Sequence, residues 1–197
     1  VRPTGQIGGQ SAVLFGDSIT GLNYAANTGY YSEGYFNWAN ALLGMPFTTV
    51  YPLGVGGDTT ALMLARIQDV VNTGADWAFV MGGTNDIFTS PTSTDYAAIF
   101  ANLKQIYSTL LNAGMKVVAV TPPVRNTGSQ ANAQIVAQLE LNRLVLSYAA
   151  ATPNMIGVNA YGATVSPTDA SGNQKTNYLY DSTTHPSNIG AYAIGKA

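Results

Sequence analysis

Short apolar runs alternate with longer stretches in which apolar residues recur every three or four positions. The runs lie near 12–15, 47–53, 77–82, 116–121 and 155–159, and each predicts a strand. Between them, Met63, Ile67, Val70 and Val71 share one helical face, as do Ile99, Leu103, Ile106 and Leu110. Thr92-x-x-Asp95 is a capping signal ahead of the second of these helices, and Gly114 is its stop. Leu141, Leu144, Val145 and Tyr148 mark a further helix before Pro153. Phe36, Trp38 and Leu42 are expected in the first helix and its core, and Ile189, Tyr192 and Ala193 on the inner face of the last. Strands alternating with helices predict a parallel sheet with helices on both faces. Residues 1–11 read as a linker and 12–197 as one domain, with no internal repeat.

The polar segments that follow the runs are where chemistry is expected, because ligands bind at the carboxyl ends of strands in open α/β sheets. Ala12–Phe15 runs into Gly16-Asp17-Ser18-Ile19-Thr20. Thr48–Leu53 runs into Gly54-Val55-Gly56-Gly57-Asp58, and Trp77–Met81 into Gly82-Gly83-Thr84-Asn85-Asp86. The single histidine of the chain, His185, sits in Tyr180-Asp181-Ser182-Thr183-Thr184-His185-Pro186. A serine becomes a nucleophile when a neighbouring base takes its proton, and near neutral pH that base is usually histidine. If serine chemistry with an imidazole base occurs here, His185 supplies the base.

These four segments, in this order, resemble the conserved blocks of the GDSL-type esterases of the SGNH hydrolase superfamily, over nearly the whole chain from about residue 12. The resemblance implies a three-layer α/β/α, flavodoxin-like fold with a parallel five-stranded sheet. It implies roles as well. Ser18 would be the nucleophile and His185 the base, with the Ser18 and Gly57 N–H groups and the Asn85 amide forming an oxyanion hole. The residue types suit those roles: glycine leaves a backbone N–H open to a substrate oxygen, and the Asn85 NH₂ can meet developing negative charge. One departure stands out. The family usually places Asp three residues before His; here Ser182 holds that position and Asp181 lies four before. Two arrangements follow: Asp181 reaching the imidazole through a longer loop, or a Ser–His pair with the ring held by a backbone carbonyl. Asp17 and Asp86 are expected to hold turns by accepting backbone N–H bonds.

Composition narrows the partners. Hydrophobic residues make up 46% of the 197, which fits a globular protein, while charged residues are only 9% against a usual quarter or so. A surface of Ser, Thr, Asn, Gln and Tyr is therefore expected, as suits an extracellular or phage-borne protein. Net charge is −2 without a basic run, which argues against nucleic acid or an anionic membrane. No cysteine and one histidine leave no metal site and no thiol chemistry, and no cofactor is implied. No run is long enough for a membrane span. Gly190–Ala197 approaches a phosphate-binding loop but lacks its Ser/Thr, and reads as the last helix of a chain cut from a longer polypeptide. Tyr24, Tyr30 and Tyr31 are expected to form a sugar-stacking platform, with Arg125 lining the cleft. The implied partner is a small-molecule or polysaccharide ester, best an acetylated carbohydrate. A short-chain lipid or aryl ester is the alternative, and a non-catalytic carbohydrate-binding or tail module the rival class.

Overall fold

The computed structural model describes residues 9–23, 34–89, 92–125, 132–165, 178–179 and 184–197. Strands β1 (Gln10–Gly16), β2 (Phe47–Gly54), β3 (Trp77–Met81), β4 (Lys116–Val120) and β5 (Met155–Val158) pair in parallel in the order β2-β1-β3-β4-β5. Each lies within two residues of its expected limits. Gln10 and Ser11, expected in the linker, are the first residues of β1. The register sets Gly16 beside Gly54 on one side and Met81 on the other, so three strands end level. Because the order reverses across β1, the crevice between the β1 and β3 ends is the switch point where such sheets bind ligands.

The sheet separates two apolar layers. Val13, Phe15, Ala78, Val80, Val117 and Ala119 face helices α3 (Thr60–Ala65), α4 (Ile67–Val71), α5 (Thr84–Phe88), α6 (Tyr96–Asn112) and α7 (Asn132–Ala151). Ala12, Leu14, Phe79, Met81, Val118 and Val120 face α1 (Ser18–Gly21), α2 (Tyr35–Leu42), α8 (Ala160–Thr164) and α9 (Asn188–Lys196). β1 is therefore buried on both sides, the environment that a continuous apolar run predicts. β2 forms an edge, and its Pro52 pairs in register with Leu14. The result is the three-layer α/β/α architecture expected.

Four local readings are corrected. The helix carrying Met63 to Val71 is broken at Arg66 into α3 and α4. The cap of α6 is Asp95, whose carboxylate accepts the Ala98 N–H at 3.0 Å, rather than Thr92. Leu42 is exposed; α2 instead buries Tyr35, Phe36 and Asn40, and Asn40 exchanges amide bonds with the Phe47 backbone. On α9, Ile189 and Tyr192 are exposed while Gly190, Ala191 and Ile194 face inward. The physical reason is close approach: a side chain at Gly190 would strike the Tyr178 carbonyl, so the smallest residues take the inner face.

Candidate active site

Gly16 closes β1 where a side chain would collide with the Met81 carbonyl and the Thr20 hydroxyl. The chain then turns at Asp17, which caps the single-turn helix α1 by accepting the Ile19 N–H at 2.9 Å. Ser18 is the first residue of that turn, and its Oγ lies 2.8 Å from His185 Nε2, across 167 positions of sequence. His185 is fixed from its own side. Pro186 bridges antiparallel to Leu179, the Ser187 N–H donates to the Tyr178 carbonyl at 2.8 Å, and Ser187 caps α9 by accepting the Gly190 N–H.

The loop after β2 passes beside the serine. A Cβ on Gly56 would sit 3.8 Å from Ser18 Cβ. Gly57 has φ +85° with open space around it, so backbone conformation is what calls for glycine there. From β3, Gly83 at φ +112° turns the chain into α5 and delivers Asn85, which is buried. Asn85 Nδ2 donates to the Asp58 carbonyl at 2.9 Å. An amide nitrogen carries two hydrogens, and the other is available in kind to a substrate oxygen. Asp86 accepts from both the N–H and the hydroxyl of Thr60, at 2.9 and 2.7 Å, and so ties α5 to the start of α3. Both aspartates thus accept backbone N–H groups, but only Asp17 holds a local turn as expected; Asp86 instead joins segments 26 residues apart.

Arg66, which no sequence block contains, and Asp17, whose ionisation the sequence does not reveal, complete the surroundings. Arg66 donates from Nε to Asp58 Oδ2 at 2.7 Å, from Nη1 to the Leu53 carbonyl at 2.9 Å and from Nη2 to the Gly16 carbonyl at 3.0 Å. Asp58 lay within a recognised block, but nothing in its spacing pointed to Arg66. Asp17 carries the unusual charge state. It is fully buried, its Oδ2 has no hydrogen-bond partner, and burial pushes its carboxyl up to about 7. The Ile19 N–H and the nearby His185 act in the opposite direction, while Asp86 and Asp58 add to the rise.

Arg125 is half-buried, donates from Nη1 to the Phe88 carbonyl at 3.0 Å and lies over the Phe88 ring, at the end of the helix that carries Asn85. Asp181, Ser182, Tyr24, Tyr30 and Tyr31 lie outside the described residues. Among the described residues no cluster of three His, Cys, Asp or Glu side chains forms a metal cage, and no helix is long and apolar enough to cross a membrane.

A three-layer parallel sheet with a serine joined to a histidine at its switch point, and two glycine-turned loops alongside, defines the class: an SGNH-type hydrolase fold. The GDSL-like lipase/acylhydrolase family model matches residues 14–193, and the chain belongs to that family of carboxylic ester hydrolases. No curated protein sequence matches significantly. Among solved structures, the chain is similar to an acetylxylan esterase from Geobacillus stearothermophilus at 22% identity and a TM-score of 0.73, covering 95% of this chain and 91% of that one. A protein assigned as an acylhydrolase from Bacteroides fragilis shares 21% identity with a TM-score of 0.73, covering 95% and 83%. A protein assigned as a lipolytic member of the G-D-S-L family from Desulfitobacterium hafniense shares 16% identity with a TM-score of 0.71, covering 95% and 96%. At these identities the likeness is one of fold.

Proposed function

We propose that the protein is a carbohydrate O-acetylesterase working through an acyl-enzyme on Ser18. The observation that carries the chemistry is the 2.8 Å approach of His185 Nε2 to Ser18 Oγ. With the ring proton on Nδ1, Nε2 takes the hydroxyl proton as Oγ attacks the ester carbonyl carbon. The carbonyl electron pair moves onto oxygen, where the Ser18 N–H, the Gly57 N–H and the Asn85 amide receive it. Collapse breaks the bond to the alcohol oxygen, which leaves with the proton held by His185. Water then gives a proton to His185 and attacks the acyl-serine. The second collapse releases the acid and returns the proton to Ser18.

Asp181 is the proposed acceptor of the Nδ1 proton, since a carboxylate stabilises an imidazolium far better than the Ser182 hydroxyl. Support for acetylated carbohydrate comes from the low charge, the tyrosines at 24, 30 and 31, and the acetylxylan esterase among the similar folds. On this reading the enzyme works outside a cell or on a phage particle, where such polymers are met. The test compares release of acetate from acetylated polysaccharides with hydrolysis of aryl esters of rising acyl length. Ser18→Ala is expected to lose about 10³-fold or more in turnover while keeping its circular dichroism. A folded Ser18→Ala with full turnover would sink the mechanism, and a preference for long acyl chains would move the substrate to lipids. A wild type inert on every ester would leave a binding module. Asp181→Asn should lose up to about 10⁴-fold; near-normal turnover would leave Ser18 and His185 acting as a pair.

A further inference from the structure

We propose that Arg66 is the positioning residue of the oxyanion hole, one guanidinium holding together the segments that present Ser18, Gly57 and Asn85; the inference rests on the roles assigned to those residues above. Its three acceptors are spread over the end of β1 (the Gly16 carbonyl), the end of β2 (the Leu53 carbonyl) and the loop between β2 and α3 (the Asp58 carboxylate). The guanidinium also lies over the Phe15 ring, 4.5 Å from its centre, packed against the strand that leads to Ser18.

Asp58 is the relay. Its carboxylate takes Arg66, its N–H closes a turn onto the Val55 carbonyl at 3.2 Å around Gly57, and its own carbonyl holds Asn85 Nδ2. A displacement of Asp58 therefore moves both the Gly57 N–H and the Asn85 amide. The Gly16 carbonyl is bound twice, by Arg66 and by the Val55 N–H at 2.9 Å, so the end of β1 and the loop after β2 are locked at one point. Three acceptors on separate segments suit a rigid planar fork; a lysine offers a single hydrated centre on a flexible stem and cannot reproduce it. The interruption between α3 and α4 falls at this residue. Arg66 and Asp58 side chains are only 19% and 9% exposed, so removing one charge leaves the other buried and unpaired. A simple truncation would mix stability with catalysis.

The experiment measures kcat and KM on 4-nitrophenyl acetate for wild type, Arg66→Lys, Asp58→Glu, Asn85→Ala and the doubles with Asn85→Ala. Arg66→Lys is expected to lower kcat about 10- to 100-fold with KM within about twofold, because oxyanion donors act on the transition state. In the Asn85→Ala background the same change is expected to cost at least about fivefold less, since one donor it positions is gone. Should Arg66→Lys fail to fold, Asp58→Glu, which keeps both charges and shifts only the carboxylate, enters the same cycle in its place. Full kcat in the folded variants, or losses that simply multiply in the doubles, would overturn the proposal. A wild type without activity on the ester would instead overturn the reading on which it rests.

Discussion

Asp17 is the residue where the site's electrostatics become a measurable property of the fold. Its carboxyl stands at about 7 when folded against 3.8 when free, chiefly because burial disfavours the charge. The folded protein therefore holds a proton that the unfolded chain has already released, and stability falls as pH rises. The contribution is complete below about pH 4 and is lost on rising through about pH 7. Asp17→Asn, neutral at every pH and still able to accept from the Ile19 N–H, is expected to flatten that decline. The gap between the two unfolding free energies should change by a few kcal/mol at most between pH 4 and 8. Parallel curves in denaturant melts at the two pH values would show that Asp17 titrates normally. The raised carboxyl was not legible in sequence, because burial by the surrounding layers produces it. Ser18, Gly57, Asn85 and His185 were legible, each standing in a block of recognisable residue types. Arg66 was not: it sits among ordinary helix residues, and only the fold brings it under Gly16, Leu53 and Asp58.

Strands are more legible in this sequence than the inward faces of its helices. An apolar run such as Ala12–Phe15 has one interpretation once it is flanked by glycine and polar residues, since burial on both faces leaves no phase to misjudge. α9 has a phase, and residue size alone predicts an inner face of Ile189 and Tyr192. The inner face instead belongs to Gly190 and Ala191, because the Tyr178 carbonyl leaves no room for more. Turns also differ in what they serve. Gly83 and Gly114 both have positive φ, but Gly83 leads into Asn85 and its Cβ would sit 2.7 Å from a Leu141 methyl, whereas Gly114 ends α6 in open space. Alanine at either is expected to cost about 1–3 kcal/mol. Thermal melts should therefore show both variants lowered by roughly 2–10 °C. Turnover per folded molecule should fall at least about tenfold for Gly83→Ala and stay near wild type for Gly114→Ala. Equal kcat in the two would mean that the Gly83 turn does not aim Asn85.

Over the whole molecule, the strand order decides where distant parts of the chain meet, and then how the molecule treats its neighbours. Parallel strands could be foreseen from alternation; that β1 sits between β2 and β3, opening the crevice for Ser18, came only from the resemblance. The same order leaves β2 with β1 as its one partner among the described residues, so its outer margin is a row of backbone groups open to another chain. Pro52 interrupts that row. A proline fits a strand where its missing N–H faces away from the neighbour, so the free side of β2 lacks a donor midway. The opposite margin is protected differently: β5 is only 4 residues long and contains Gly157. Restoring the donor with Pro52→Thr is expected to leave turnover within about twofold while promoting fibrillar, dye-binding aggregates, in a concentration-dependent way, under mildly denaturing conditions. Light scattering and dye fluorescence that match wild type would exonerate the margin. On this prediction the residue least suited to a sheet interior serves the colloidal life of the protein, denying the next molecule's strand a pairing partner midway along β2.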